Sequence, residues 1–127
     1  MSTANEAFLE DLSRRSFQFF WEQADPETGL ISDTAPADGT AGNPVASIAS
    51  TGFGLAGLCM AAERGWVSRD DAYARAVTTL RFIHDKLPHE HGFYYHFADR
   101  VSGQRAWNCE LSSIDTALLL AGALTVR

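Results

Sequence analysis

Two carboxylates near the end of the sequence, Glu110 and Asp115, carry the clearest potential for acid–base chemistry. Asp115 is the only charge between Leu111 and Val126, a stretch otherwise apolar or small and neutral. A carboxylic acid can deliver a proton to a leaving oxygen while a second carboxylate activates water or attacks carbon. Burial raises the pKa of such an acid, and a helix N-terminus lowers it. Asp115 also has a structural role open to it. It follows Ser112 by three residues, the spacing of a capping box, where the helix dipole favours a carboxylate. The two roles do not exclude one another.

Other chemistry-bearing residues fall in the same part of the chain. Phe93, Tyr94, Tyr95, Phe97 and Trp107 form an aromatic cluster. Flat rings stack on sugar rings, and Tyr and Trp add a polar handle. The same rings could instead staple a small core, with Phe93, Tyr95 and Phe97 packed and Tyr94 and His96 exposed. All four histidines lie between His84 and His96, with His89 and His91 flanking Glu90. Their spacing matches no zinc signature, and no metal or cofactor is expected. Gly52, Gly54 and Gly57 spell G-x-G-x-x-G, but no strand precedes them and no βαβ pattern follows. Close helix packing is the simpler role for these glycines. Ser47, Ser50, Ser112 and Ser113 lack a nucleophile-elbow context and read as helix caps.

The elements that must position these residues alternate in character. A first helix is expected from about Asn5 to Ala24, capped by Thr3 and Glu6, with Phe8, Leu9, Leu12, Phe19 and Phe20 as its apolar stripe. A long polar connection, Pro26 to about Ala46, leads to a second helix from Ser47 to Arg64, with no charge between Ile48 and Ala62. A helix apolar all round is buried all round. Gly65 is its stop. A third, amphipathic helix runs from Ser68 to about Lys86, with Tyr73, Val77, Leu80, His84 and Leu87 facing inward and Arg69, Asp70, Arg75 and Arg81 outward. A second long connection, Pro88 to Glu110, holds a β-hairpin-like segment near 93–107, with Phe93–Phe97 returning through Arg105–Trp107. The last helix starts near Ser112 and is again apolar all round.

The order amphipathic, buried, amphipathic, buried is that of an all-α, two-layer helical toroid. Both long loops then gather at the N-terminal ends of the inner helices, where function is expected. Two outer helices cannot cover both faces of two apolar inner ones. Further hairpins or a partner chain must supply the cover, and the chain is expected to be the N-terminal part of something longer.

Composition bounds the rest. The 127 residues suit one domain, and 46% hydrophobic with 20% charged residues is ordinary for a globular protein. A formal charge of −6 argues against nucleic acid or an anionic membrane as partner. No apolar run is long enough to span a membrane. Met1 to Glu10 shows no secretory signal, so location is open, cytoplasmic by default. Cys59 and Cys109 cannot form a disulfide framework and read as small core residues.

Several segments together resemble one family. They are Leu9–Trp21 (LEDLSRRSFQFFW), Asp25–Leu30 (DPETGL), Ser47–Leu58 (SIASTGFGLAGL), Glu63–Ser68 (ERGWVS), Gly92–Phe97 (GFYYHF) and, most specific, Trp107–Gly122 (WNCELSSIDTALLLAG). In this order they resemble the bacterial glycoamylase-like family, related to endo-β-1,2-glucanases and to a domain of cyclic β-1,2-glucan synthases. The resemblance implies an (α/α)6 toroid of six hairpins, of which this chain, residues 1–127, supplies about two. It implies a glycoside hydrolase or transglycosylase acting on β-glucans, first of all β-1,2-linked glucose. It places a general acid near the start of the last inner helix. Asp115 is the aligned position; the family carries a glutamate there, which makes Glu110 the local alternative. Trp107, Asn108, Tyr94 and His96 become sugar contacts, and the second carboxylate is expected beyond Arg127. This chain alone is then expected to be inactive. The competing expectations are a carbohydrate-binding module without catalysis and a module that self-associates through exposed inner helices.

Overall fold

The computed structural model describes residues 3–127; Met1 and Ser2 of the Met1–Glu10 stretch lie outside the described residues. Four helices carry the fold: α1 (Thr3–Glu22), α2 (Ile48–Glu63), α3 (Arg69–Asp85) and α4 (Ser113–Thr125). Four short strands lie in the two long connections: β1 (Val45–Ser47), β2 (His89–Glu90), β3 (Phe93–Tyr94) and β4 (Phe97–Asp99). Thr3 is already helical, so it does not cap α1 with Glu6. The caps expected at the other helices are present. Ser47, Ser68 and Ser112 are extended, and each accepts from the backbone N–H three residues on. Gly65 ends α2 with φ +70°, and the Trp66 N–H reaches back to the Ala61 carbonyl at 2.8 Å.

The apolar helices α2 and α4 pack in parallel at van der Waals contact of their backbones. A Cβ added at Gly122 would fall on the Gly52 carbonyl, and one at Gly52 would lie 2.7 Å from the Leu119 Cα. Further along, the Cys59 thiol meets the Thr125 carbonyl at 3.5 Å. Gly54 makes room for the Ile31 side chain. Gly52 and Gly54 of the G-x-G-x-x-G run are therefore packing residues. Around this crossing sit Leu55, Leu58 and Leu119, all buried.

The outer helices touch the core along narrower lines than their stripes suggested. On α1 only Phe17 is buried, packed with Trp21 and Trp66 at 6.2 and 5.9 Å; Phe8, Leu9 and Leu12 are exposed. On α3 the buried residues are Ala72, Ala76, Thr79 and Ile83, while Tyr73 and His84 face outward. The stripe is rotated by about one position from the expected one. Small side chains let α3 lie close to its neighbours, and the larger Tyr73 does not fit there. Arg75, expected outside, lies 4.6 Å over the Trp21 ring. Cys59 is exposed, not core, because it lines an open groove between α2, α3 and the end of α4, with Ala72, Tyr73 and Val126; Cys109 is buried as expected. The inner helices are not covered all round either. Phe53 and Met60 on α2 and Ile114, Leu120 and Leu124 on α4 are exposed.

The long connections do not stand apart as loops. The expected hairpin near 93–107 is divided between two sheets. β2 pairs with β3, whereas β4 pairs antiparallel with β1 in the register Val45↔Asp99, Ala46↔Ala98 and Ser47↔Phe97. Arg105 contributes only a single bridge to Ala98. The alternation expected through Phe93–Phe97 fails because two sheets share that stretch, and Phe93 is exposed. Arg100 ties the polar connection down: its Nη1 donates to Gln23 O at 3.2 Å and Ser32 Oγ at 3.1 Å.

The crossing predicts opposite effects for two glycines of α2 and α4. Gly122→Ala should destabilise the fold by about 3 kcal/mol, the upper end of overpacking costs. Gly57→Ala should be neutral or stabilise by up to about 1 kcal/mol, because its Cβ would meet only the Phe17 ring at 3.4 Å and alanine favours helix. Urea denaturation of the two variants measures both.

Candidate active site

One strand segment joins the two inner-helix N-termini. The Ile48 N–H, opening α2, donates to the His96 carbonyl at 3.2 Å, and the Ser112 N–H, at the cap of α4, donates to the Tyr94 carbonyl at 3.0 Å. The Tyr94 N–H donates to Thr116 Oγ1 at 3.0 Å, and the His96 N–H to the Glu110 carbonyl at 3.1 Å. Residues 94–97 are thus laid across the loop end of both inner helices. The side chains read as functional from the sequence are carried on this frame.

His96 stands between the two candidate carboxylates. Its Nδ1 lies 3.0 Å from Glu110 Oε1 and its Nε2 lies 3.7 Å from Asp115 Oδ2. The first is a hydrogen bond; the second is an ion-pair distance when the ring is charged. The imidazole stacks on Phe97 at 3.7 Å, and Phe97 meets the Trp107 ring edge-on at 5.1 Å. Trp107 itself is 63% exposed. Glu110, His96, Asp115 and Trp107 therefore form one continuous patch.

The two carboxylates differ in setting. The Asp115 side chain is only 14% exposed and the Glu110 side chain 66%. Asp115 is bound to Ser112 in both directions: its backbone N–H donates to Ser112 Oγ at 3.2 Å, and the Ser112 hydroxyl donates to its carboxylate. The capping role is real and leaves Asp115 Oδ2 still facing His96. The Glu110 carboxyl is held below the usual glutamate range, first by its own backbone N–H, then by the His96 hydrogen bond and the charges of His96 and Arg105.

Of the expected sugar contacts, Trp107, Asn108 and His96 stand in the patch. Tyr94 does not present itself in the same way: its ring packs against the core and against His89 at 5.3 Å, and burial raises its phenol pKa. Two residues escaped sequence reading. Arg105 donates to the carbonyls of Cys109 (2.6 Å) and Asn108 (2.8 Å), and Glu90 accepts from the Tyr95 hydroxyl at 2.6 Å. Charged residues in polar loops follow no periodicity, so no signal marked them. Among the described residues no three His, Cys, Asp or Glu side chains converge on a metal position, and no helix is long and apolar enough to cross a membrane.

No family model matches the chain. A curated relative does: an exo β-1,2-glucooligosaccharide sophorohydrolase from Parabacteroides distasonis, 26% identical over 97% of this chain. The chain resembles a segment of a β-1,2-glucan hydrolase. It spans 17% of that relative's length. Among solved structures, a glucoamylase-like protein from Bacteroides caccae superposes with a TM-score of 0.80 at 27% identity, over 92% of this chain and 30% of its own. An endo-β-1,2-glucanase from Chitinophaga pinensis superposes with a TM-score of 0.82 at 23% identity, over 96% of this chain and 30% of its own, and shares the fold. These comparisons bear out the glycoamylase-like resemblance. They lend nothing to self-association.

The Glu110–His96 contact has a pH signature. A carboxyl whose folded pKa is depressed stabilises the fold above its unfolded pKa, and that contribution is lost as pH falls through the folded value. Glu110 should titrate below an ordinary glutamate in a carboxyl-detected NMR titration. His96→Gln should move it upward while leaving it below the ordinary value, because the backbone N–H remains.

Proposed function

We propose that this chain is one part of an (α/α) toroid that hydrolyses β-1,2-linked glucan, and that the patch at the loop end of α2 and α4 lines its active site. The observation that carries the reading is the alignment of Glu110, His96 and Asp115 beside an exposed tryptophan, in a chain similar to β-1,2-glucan hydrolases. The exposed sides of α1, α2 and α4 are where further hairpins of a closed ring would pack.

In this reading Asp115 is the general acid. It is the more buried carboxylate, sits on a rigid helix start, and faces an imidazole. Proton delivery to the glycosidic oxygen would come from its carboxyl group. Glu110 is the alternative acid. It is more open, and its depressed pKa suits an anion that orients His96 better than a proton donor. The carboxylate that activates water comes from outside this chain. Trp107 offers a ring face to one glucose unit, with Asn108 and His96 as polar contacts at its edge. The capping of Asp115 favours a second reading, sugar binding without catalysis, which the same experiment separates.

In a polypeptide of the relatives' length containing this chain, Asp115→Asn should lower kcat on β-1,2-gluco-oligosaccharides by about 10²–10⁴-fold, the usual worth of a general acid. Trp107→Ala should raise KM about tenfold with a smaller change in kcat, the loss of one stacking contact near 1.4 kcal/mol. Reducing-sugar release and oligosaccharide product analysis read both. Unchanged kcat in Asp115→Asn overturns its role as acid; undiminished binding with no hydrolysis in the parent supports the binding module.

A further inference from the structure

Trp107 and Asn108 are consecutive non-glycine residues with left-handed backbone, at φ +54° and +50°. The Cys109 N–H donates to the Ala106 carbonyl at 3.1 Å, so residues 106–109 close a tight turn with both central residues left-handed. Such turns are ordinarily built from Asn and Gly. Asn108 suits its place; a tryptophan does not, since bulky side chains avoid this region. Burial does not compensate, because the Trp107 ring faces solvent and touches Phe97 only by an edge. Residues in such conformations persist where their surroundings over-determine them, and they gather at functional sites.

The ends of the turn are tied to Phe97, where the Ala106 N–H donates to the Phe97 carbonyl at 3.1 Å and the Phe97 N–H to Cys109 Sγ at 3.2 Å; the carbonyls of Asn108 and Cys109 are held by one side chain. Arg105 Nε donates to the Cys109 carbonyl at 2.6 Å and its Nη2 to the Asn108 carbonyl at 2.8 Å, so one guanidinium grips two successive carbonyls. The guanidinium is seated 4.5 Å over the Tyr95 ring, and the Tyr95 hydroxyl is tied to Glu90 at 2.6 Å. The Arg105 backbone bridges to Ala98 in β4, the strand that directly follows His96. The planar fork of arginine suits this task; a lysine ammonium donates from one point and cannot hold two carbonyls in the same way.

We propose that Arg105 is a positioning residue: its guanidinium locks the left-handed turn at Trp107–Asn108 and so presents the Trp107 ring outward, beside Glu110 and His96, as a platform for a sugar. The platform rests on the reading under Proposed function. The lock rests on the turn geometry alone, and its test needs no sugar.

Incorporation of 5-fluorotryptophan gives the intact chain three ¹⁹F signals, from Trp21, Trp66 and Trp107, and Trp107→Phe assigns the last. Arg105→Lys keeps the charge and the stem but loses the fork. It should shift or split the Trp107 signal alone, with Trp21 and Trp66 reporting an intact core. Adding Asn108→Gly, which gives the turn the residue type that takes left-handed backbone most freely, should restore a single Trp107 signal near its parent position. A merely structural loss would not be rescued by a glycine. Sophorotriose then reads the platform: the Trp107 signal of the parent should respond, and the half-saturating concentration should rise about tenfold in Arg105→Lys. A Trp107 signal unmoved in both Arg105→Lys and Arg105→Ala overturns the lock. So does failure of Asn108→Gly to restore it. Should Arg105→Ala move all three signals, Arg105→Lys decides. An intact lock without any response to sophorotriose overturns the platform and leaves the lock standing.

Discussion

The backbones of α2 and α4 touch, and most of the molecule follows from that contact. With Gly52 against Gly122, no side chain separates the two inner helices. Their N-termini are then close enough for one extended segment, residues 94–97, to hydrogen-bond to both. That segment carries His96 between a carboxylate on the α4 side, Asp115, and one in the adjoining loop, Glu110. A wider crossing would part the two helix starts and with them the imidazole from its partners. The glycines thus serve the site without touching it.

The outer shell answers a different need. Parallel inner helices require the chain to return outside, and α1 and α3 do this with little buried surface of their own. Phe17 with Trp21 and Trp66, and the small residues Ala72, Ala76 and Thr79, make narrow seams against the core. Phe8, Leu9 and Leu12 on α1, Phe53 and Met60 on α2 and Ile114, Leu120 and Leu124 on α4 remain exposed. Stability and chemistry are divided in space: packing runs along the helix bodies, and Glu110, His96, Asp115 and Trp107 gather at one end, where short strands replace long loops.

Much of this was legible in the sequence, and the failures have physical causes. Uncharged runs marked α2 and α4, and Ser112 followed three residues on by Asp115 marked the start of α4. Asp115 stood out as the only charge in an apolar run and Trp107 as a member of an aromatic cluster, and the structure brings them into one patch with Glu110 and His96. The α3 stripe was misplaced because alanine and threonine do the packing there, and periodicity weights large side chains such as Tyr73. The pairing of β1 with β4 joins residues about fifty positions apart through three-residue strands, too short to show alternation. Arg105 was invisible because its role lies in gripping carbonyls, which no residue pattern encodes.

The most direct measurement is a crystal structure of a polypeptide of the relatives' length that contains this chain, soaked with a β-1,2-linked oligosaccharide. The expected result is a glucan chain across the loop end of α2 and α4, with a glycosidic oxygen within about 3 Å of the Asp115 or Glu110 carboxyl and a glucose ring over Trp107. A glucan bound instead at the opposite end, near the Gly65–Val67 turn, with the patch open to solvent, would contradict the assignment of this site.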